Sequence, residues 1–164
     1  MSYIGIDLST HAVDLVKLDE DTYRAEWYRV PLVGESAIDR ARSYYEERWK
    51  YLKHSYEVEF IWDDVIVCAL EDPHGAGRSA VSKIMRVQGV VLATIPARVQ
   101  VWTFAPGEWR NLCGLAGNAS KENVREWALD VWGDPPYPDP PQDACDAYCI
   151  AYAARALNER QEEA

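Results

Sequence analysis

Val65-Ile66-Val67-Cys68-Ala69-Leu70 is the stretch that most restricts the fold. Six apolar residues stand in a row, β-branched at first, with no polar residue between them. A strand with one wet face alternates; an unbroken run like this is a strand covered on both faces. It stops at Glu71, and a Gly/Pro loop follows, Asp72-Pro73-His74-Gly75-Ala76-Gly77. The rest of the chain has to cover two faces of a sheet. With 164 residues, 48% of them apolar, it has enough material for one sizeable core in a single domain spanning 1–164.

Three strands are predicted before that run. Tyr3–Leu8 alternates and carries Asp7 near its end, Ala12–Leu18 follows across a tight hairpin, and Tyr23–Leu32 returns antiparallel after the turn Asp19-Glu20-Asp21. Ser36-x-x-Asp39 opens a helix with a capping-box-like start. Ile38, Ala41, Tyr45, Trp49 and Leu52 are its expected buried stripe. A helix from Arg78 to about Leu92 is apolar on more than one face, which predicts one side on the sheet and another on a partner subunit. Val99–Phe104 reads as the fifth strand and Trp109–Leu112 as a short helix. Ser120 is the expected N-cap of a helix through Val124, Trp127, Ala128, Val131 and Trp132. A stiff linker with five prolines, 133–141, leads to the closing helix, whose polar end, 156–164, is expected to fray.

The net charge of −10 argues against a nucleic-acid partner, but its distribution does not. Arg78, Lys83, Arg86, Arg98, Arg110 and Lys121 face a single acid, Glu108, over residues 73–121, between two acidic ends. That pattern fits a local phosphate-binding face and fits ordinary charge scatter about equally. Four cysteines without a CxxC, no apolar run of membrane-spanning length and an N-terminus unlike a signal peptide point to a reduced, intracellular, cytoplasmic protein without structural zinc. Trp49 and Trp127 lie on core stripes. Trp102 and Trp109 are the tryptophans to consider near nucleic acid.

Chemistry is suggested by acids at the ends of these elements. Asp143 and Asp146 are three apart on the closing helix and share a face of an otherwise apolar segment. Alone, this pair is better explained as a solvated first turn favoured by the helix dipole. Asp7 and Glu71, however, end the first and fourth strands, where functional groups of open α/β sheets collect. Four carboxylates from three segments are hard oxygen donors that suit Mg²⁺ or Mn²⁺ and not zinc. Lys121, in a helix first turn where a cation is disfavoured by the dipole, has reason to be functional.

The ordered set of segments resembles the RuvC family of Holliday-junction resolvases, within the ribonuclease H-like superfamily. Ile4-Gly5-Ile6-Asp7 is similar to the family's opening strand with its first acid. Ala69-Leu70-Glu71, then Ser79-Ala80-x-x-Lys83 and Gly89-Val90, is similar to the second acid and the helix after it. Gly114-x-Ala116-Gly117-Asn118-Ala119-Ser120-Lys121 is similar to the Gly-rich loop and lysine, and Asp143-Ala144-Cys145-Asp146-Ala147 to the closing segment.

The resemblance implies an α/β fold with a mixed five-stranded sheet, three antiparallel strands then parallel ones, flanked by helices. It implies a homodimer with helix 78–92 at the interface, two Mg²⁺ ions per site with Mn²⁺ as substitute, and paired nicks in branched DNA that leave 5′-phosphate and 3′-hydroxyl ends. By position, Asp7, Glu71, Asp143 and Asp146 would hold the metals, Lys121 would contact the scissile phosphate or steady the carboxylates, and Arg78, Lys83, Arg86, Lys121 and His74 would touch DNA. Two departures stand out: Leu8-Ser9 replaces the usual Pro-Gly after the first acid, and His74 lies near the place of the family's wedging aromatic. Relaxed or different branched-DNA selectivity, as in divergent bacteriophage-type members, follows as an expectation. Other readings are a flap, fork or RNA–DNA hybrid nuclease, a non-catalytic branched-DNA scaffold, and an actin-like ATPase suggested by Ile4–Thr10. The ATPase reading needs roughly twice this length and has no use for Asp143-x-x-Asp146.

Overall fold

The strands are β1 (Ser2–Leu8), β2 (Ala12–Asp19), β3 (Ala25–Pro31), β4 (Val65–Glu71) and β5 (Gln100–Phe104). They form one sheet in the order β3-β2-β1-β4-β5. β1, β2 and β3 pair antiparallel, and β4 runs parallel to both β1 and β5. The helices are α1 (Ala37–His54), α2 (Arg78–Leu92), α3 (Pro106–Leu112), α4 (Lys121–Trp132) and α5 (Gln142–Glu162). This computed structural model describes residues 1–54, 62, 64–72, 78–133, 135 and 139–163, with backbone alone at 47–54 and 78–80. The arrangement is the ribonuclease H-like one that the resemblance implies.

Strand parity sorts the core into two layers. Tyr3, Gly5 and Asp7 of β1 stand opposite Leu18, Val16 and Asp14 of β2. Those in turn stand opposite Ala25, Trp27 and Arg29 of β3. This face, with Val67, Ala69 and Phe104, is covered by α5 and by residues of α3 and α4. Ile4, Ile6, Val13, Leu15, Cys68 and Leu70 point the other way, onto Tyr44 of α1 and Val87 and Val91 of α2. β4 is covered on both sides, as its unbroken apolar run requires.

α5 lies directly on β1. A Cβ built on Gly5 would fall 2.0 Å from the Ala147 carbonyl oxygen and 2.4 Å from the Ala151 nitrogen. Buried Ala144, Ala147, Ala151 and Ala154 give the helix a surface small enough for that approach. The helix does not fray at 156 but runs to Glu162. Its polar end still faces the start of β1: Leu157 packs on the core and Asn158 Nδ2 donates to the Tyr3 hydroxyl at 3.2 Å.

Three other local expectations are corrected. β3 starts at Ala25, not Tyr23, because Tyr23 has φ 57°, which no strand tolerates, and Asp19 closes the preceding turn on Thr22. Of the expected α1 stripe Ala41 is buried, but Ile38 and Tyr45 are 59% and 51% exposed, and among the described residues Ala37 and Tyr44 are buried instead. The helix is rolled by one position because it leans on α2 and the β3 edge of the sheet. The side chains of Trp49 and Leu52 lie outside the described residues. Pro106 and Gly107 do not merely break β5 but begin α3, with proline at the helix start where its missing N–H costs nothing. The Ser36–Asp39 capping box and the Ser120 cap both form.

The many-sided apolar character of α2 has a source inside the chain. One side meets the sheet and another meets α1. Met85 and Leu92 are its exposed large apolar residues among those described.

Candidate functional site

Asp7 and Glu71 lie at the carboxyl ends of two neighbouring parallel strands, on the face that α5 covers. The close approach of α5 at Ala147 and Ala151 brings its first turns, with Asp143 and Asp146, over the same strand ends. The carboxylates sense one another. Burial pushes the Asp7 carboxyl well above the usual carboxylate range, and Asp146, Asp143, Glu71 and Asp14 push it further in that order. Asp146 is raised to about 6, by burial first and then by Glu71 and Asp143, against the Gln142 hydrogen bond and the Lys121 charge. Thus the four acids singled out from the sequence come together, with Lys121 close enough to act on Asp146.

Three of the four acids have a side-chain partner among the described residues. Glu71 Oε2 accepts a 2.8 Å hydrogen bond from Trp109 Nε1. Asp146 Oδ1 accepts one of 2.8 Å from Gln142 Nε2, one helical turn earlier. Asp143 Oδ2 lies 3.6 Å from Arg29 Nη2. Lys121 opens α4 beside the cap Ser120. The loop before it is fixed by Arg110 Nη1 donating to the Gly117 carbonyl at 3.3 Å and by Gly114 at φ 77°. Among the described residues no three His, Cys, Asp or Glu side chains are gathered closely enough to grip one metal ion. The acids share a site, but Glu71, Asp146 and Asp143 are each turned toward a neutral or cationic neighbour.

Trp109 is wholly buried, so it is a support for Glu71 and not a base-stacking surface. Trp102 likewise packs against the core. Trp109→Phe keeps most of the packing and removes the Trp109 donor to Glu71. It is expected to cost about 1.5–3 kcal/mol in urea unfolding, the scale of a hydrogen bond to a charged group.

Asp14, Arg29 and Gln142 are not evident as site residues from the sequence, and Trp109 is evident there only as a candidate near nucleic acid. One signal for Asp14 was available: alternation in β2 puts it on the core side with Val16 and Leu18, an odd place for an acid. Arg29 follows only from the β2–β3 register. The bases singled out from the sequence are less concentrated. Lys83 and Arg86 are exposed on α2. Lys83 lines a shallow cleft with Ser9 and Thr10, the residues just after β1, and with Arg40 of α1. The side chain of Arg78 and all of His74 lie outside the described residues.

The raised carboxyls set a pH dependence for the metal-free protein. Asp14 and Asp146 are each raised to about 6, and Asp7 is raised too. Unfolded aspartates titrate near ~4, so between ~4 and ~6 the folded chain holds protons that the unfolded chain has lost. Their stability contribution is complete below ~4 and is lost as pH rises through ~6. Thermal unfolding in EDTA is expected to show a less stable protein at pH 7.5 than at pH 5, on the order of a few kcal/mol. A protein more stable at pH 7.5 would contradict this assignment.

No family model and no curated protein matches the sequence. The fold, in contrast, matches solved structures. The chain superposes on Thermus thermophilus RuvC with TM-score 0.73 and 19% identity, over 98% of this chain and 97% of the other. It superposes on T. thermophilus RuvC in complex with a Holliday junction substrate with TM-score 0.73 and 18% identity, over 98% and 96%. The fold is RuvC-like from end to end.

Proposed function

We propose that this chain is a metal-dependent, structure-selective endodeoxyribonuclease that resolves four-way DNA junctions. The observation that carries the reading is the meeting of Asp7, Glu71, Asp143 and Asp146 at the strand ends of a RuvC-like sheet. The donor set fits Mg²⁺ or Mn²⁺: every member is a carboxylate, and their mutual repulsion is what a cation would relieve. The four acids would hold the ions. Two such ions, when bound, supply activation of a water and neutralisation of charge on the phosphodiester.

The chain's own residues do the remainder. Trp109 steadies Glu71 and Gln142 steadies Asp146. Lys121, whose positive charge acts on Asp146, would meet the scissile phosphate. Arg78, Lys83 and Arg86 offer phosphate contacts along α2, and His74 is a candidate contact in the loop before it. The products are 5′-phosphate and 3′-hydroxyl ends. Branched DNA as the ligand is supported by the similar T. thermophilus structure, which is in complex with a Holliday junction substrate. A homodimer with α2 at its interface would present two sites to opposed strands, and exposed Met85 and Leu92 on α2 favour it. Four free, buried thiols fit a reducing, cytoplasmic setting, and no helix among the described residues is long and apolar enough to cross a membrane.

A cleavage panel tests the proposal: four-way junction, flap, fork, RNA–DNA hybrid and linear duplex, each with Mg²⁺ and with EDTA. Preferential Mg²⁺-dependent cutting of the four-way junction is expected. Preference for the flap, fork or hybrid would replace the substrate. Binding of the junction that EDTA leaves unchanged, with no cutting of any substrate, would make the chain a scaffold.

A further inference from the structure

Asp14 is an acid beside the site that the nuclease reading leaves without a task. It is 0% exposed, on β2 opposite Asp7. A buried carboxylate needs partners. Asp14 Oδ1 accepts from Trp27 Nε1 at 2.9 Å and lies 3.4 Å from Arg29 Nη1, while Oδ2 is buried without a hydrogen bond. Arg29 stands opposite Asp14 on the edge strand β3. Its other terminal nitrogen, Nη2, is the one 3.6 Å from Asp143 Oδ2. One planar guanidinium therefore spans a fully buried carboxylate and a carboxylate of the acidic site, which its fork of donors allows and a lysine point charge does not.

We propose that Arg29 is a positioning residue of the metal-free site: anchored on Asp14, it holds Asp143 as a counter-ion, and Asp143 leaves it to join a divalent cation. This inference rests on the metal-site reading above. The two ends of the fork differ in strength. The Asp14 end is shut off from water and supported by Trp27. The Asp143 end is longer, and the Asp143 side chain is 32% exposed, so solvent weakens it. The Asp143 contact is the one that yields. Arg29 thus keeps repulsion low whenever no cation is bound and sets the direction from which Asp143 turns in.

Mn²⁺ titration of the full chain without DNA, read by calorimetry or by the spin signal of free Mn²⁺, tests this. Arg29→Gln alone would strand the buried Asp14, so the chosen variant is Asp14→Asn with Arg29→Gln. It removes one charge of each sign, leaves the net charge of the site unchanged, and keeps an oxygen for Trp27. Freed from its competitor, Asp143 should give a Kd for Mn²⁺ about two- to fivefold tighter than wild type, the scale of a half-exposed ion pair. The tightening should vanish when Asp143→Asn is added to both proteins. An unchanged or weaker Kd, or a tightening that survives Asp143→Asn, overturns this inference and leaves the metal site standing. No Mn²⁺ binding by the wild type overturns both.

Discussion

Asp146→Asn is expected to reduce Mg²⁺-dependent cleavage of a four-way junction by about a thousandfold or more while leaving junction binding in EDTA intact. The substitution keeps size and the Gln142 contact but removes a charge that the proposed metal site would need to hold a cation. Metal-assisted stabilisation of phosphoryl chemistry is worth several kcal/mol, and each ~1.4 kcal/mol is a factor of ten in rate. The fold should survive, because Asp146 stands among acids that repel it. The Asp146→Asn protein in EDTA should be as stable as wild type at pH 7.5, or more so. Single-turnover cleavage beside a gel shift checks both halves. Full activity in the variant would remove Asp146 from the site.

The second large effect belongs to a residue with no chemistry of its own. Gly5→Ala places a methyl where the Ala147 carbonyl oxygen and Ala151 nitrogen already stand, at 2.0 and 2.4 Å. Both are backbone atoms, so no rotamer change makes room, and α5 has to move off β1. Overpacking of this kind costs about 3 kcal/mol, and for a domain of this size Tm falls by roughly 2–4 °C for each of those. Activity should fall further than stability, by about a hundredfold, because the shifted helix carries Asp143 and Asp146, and a displacement of ~1 Å in a positioned group is costly. Gly89→Ala is the control: nothing lies within 4 Å of a Cβ there. In the interior of α2 it should be neutral or stabilising by up to about 1 kcal/mol. Equal melting of the Gly5→Ala protein and wild type would mean that α5 does not rest on Gly5.

Much of this site was legible in the sequence because its signals are local. Asp7 and Glu71 are visible as the acids that end strands, and Asp143 and Asp146 as acids on an apolar helix, since each needs only its own element to be read. The unbroken run Val65–Leu70 announced cover on both faces, and both cores are present. What escaped depends on relations between elements. Arg29 becomes a site residue only when β2 and β3 are placed in register, and Trp109 only when α3 is packed beneath β4 and α5. The stripe of α1 was misjudged by one position because Ile38 and Tyr45 fit the helical period as well as Ala37 and Tyr44 do. Which set is buried is decided by how the helix leans on α2. The extra residues given to β3 were lost to a left-handed Tyr23, a conformation that propensity does not foresee in a tyrosine.

The continued order of α5 past residue 156 has the same origin. A polar sequence alone predicts fraying, yet Asn158 and Leu157 still overlie the first residues of β1. The strand that carries Asp7 at one end therefore anchors the far end of the helix that carries Asp143 and Asp146. Helix and strand are clamped along their length, with Gly5 at the tightest point.

A four-way junction labelled on each strand, incubated with the wild-type protein, separates a resolving nuclease from a binding scaffold. In Mg²⁺ the protein is expected to place nicks in two opposed strands, giving 5′-phosphate and 3′-hydroxyl ends, and to place none in EDTA. Intact strands in Mg²⁺ and in Mn²⁺, with the junction still bound, would contradict the nuclease reading.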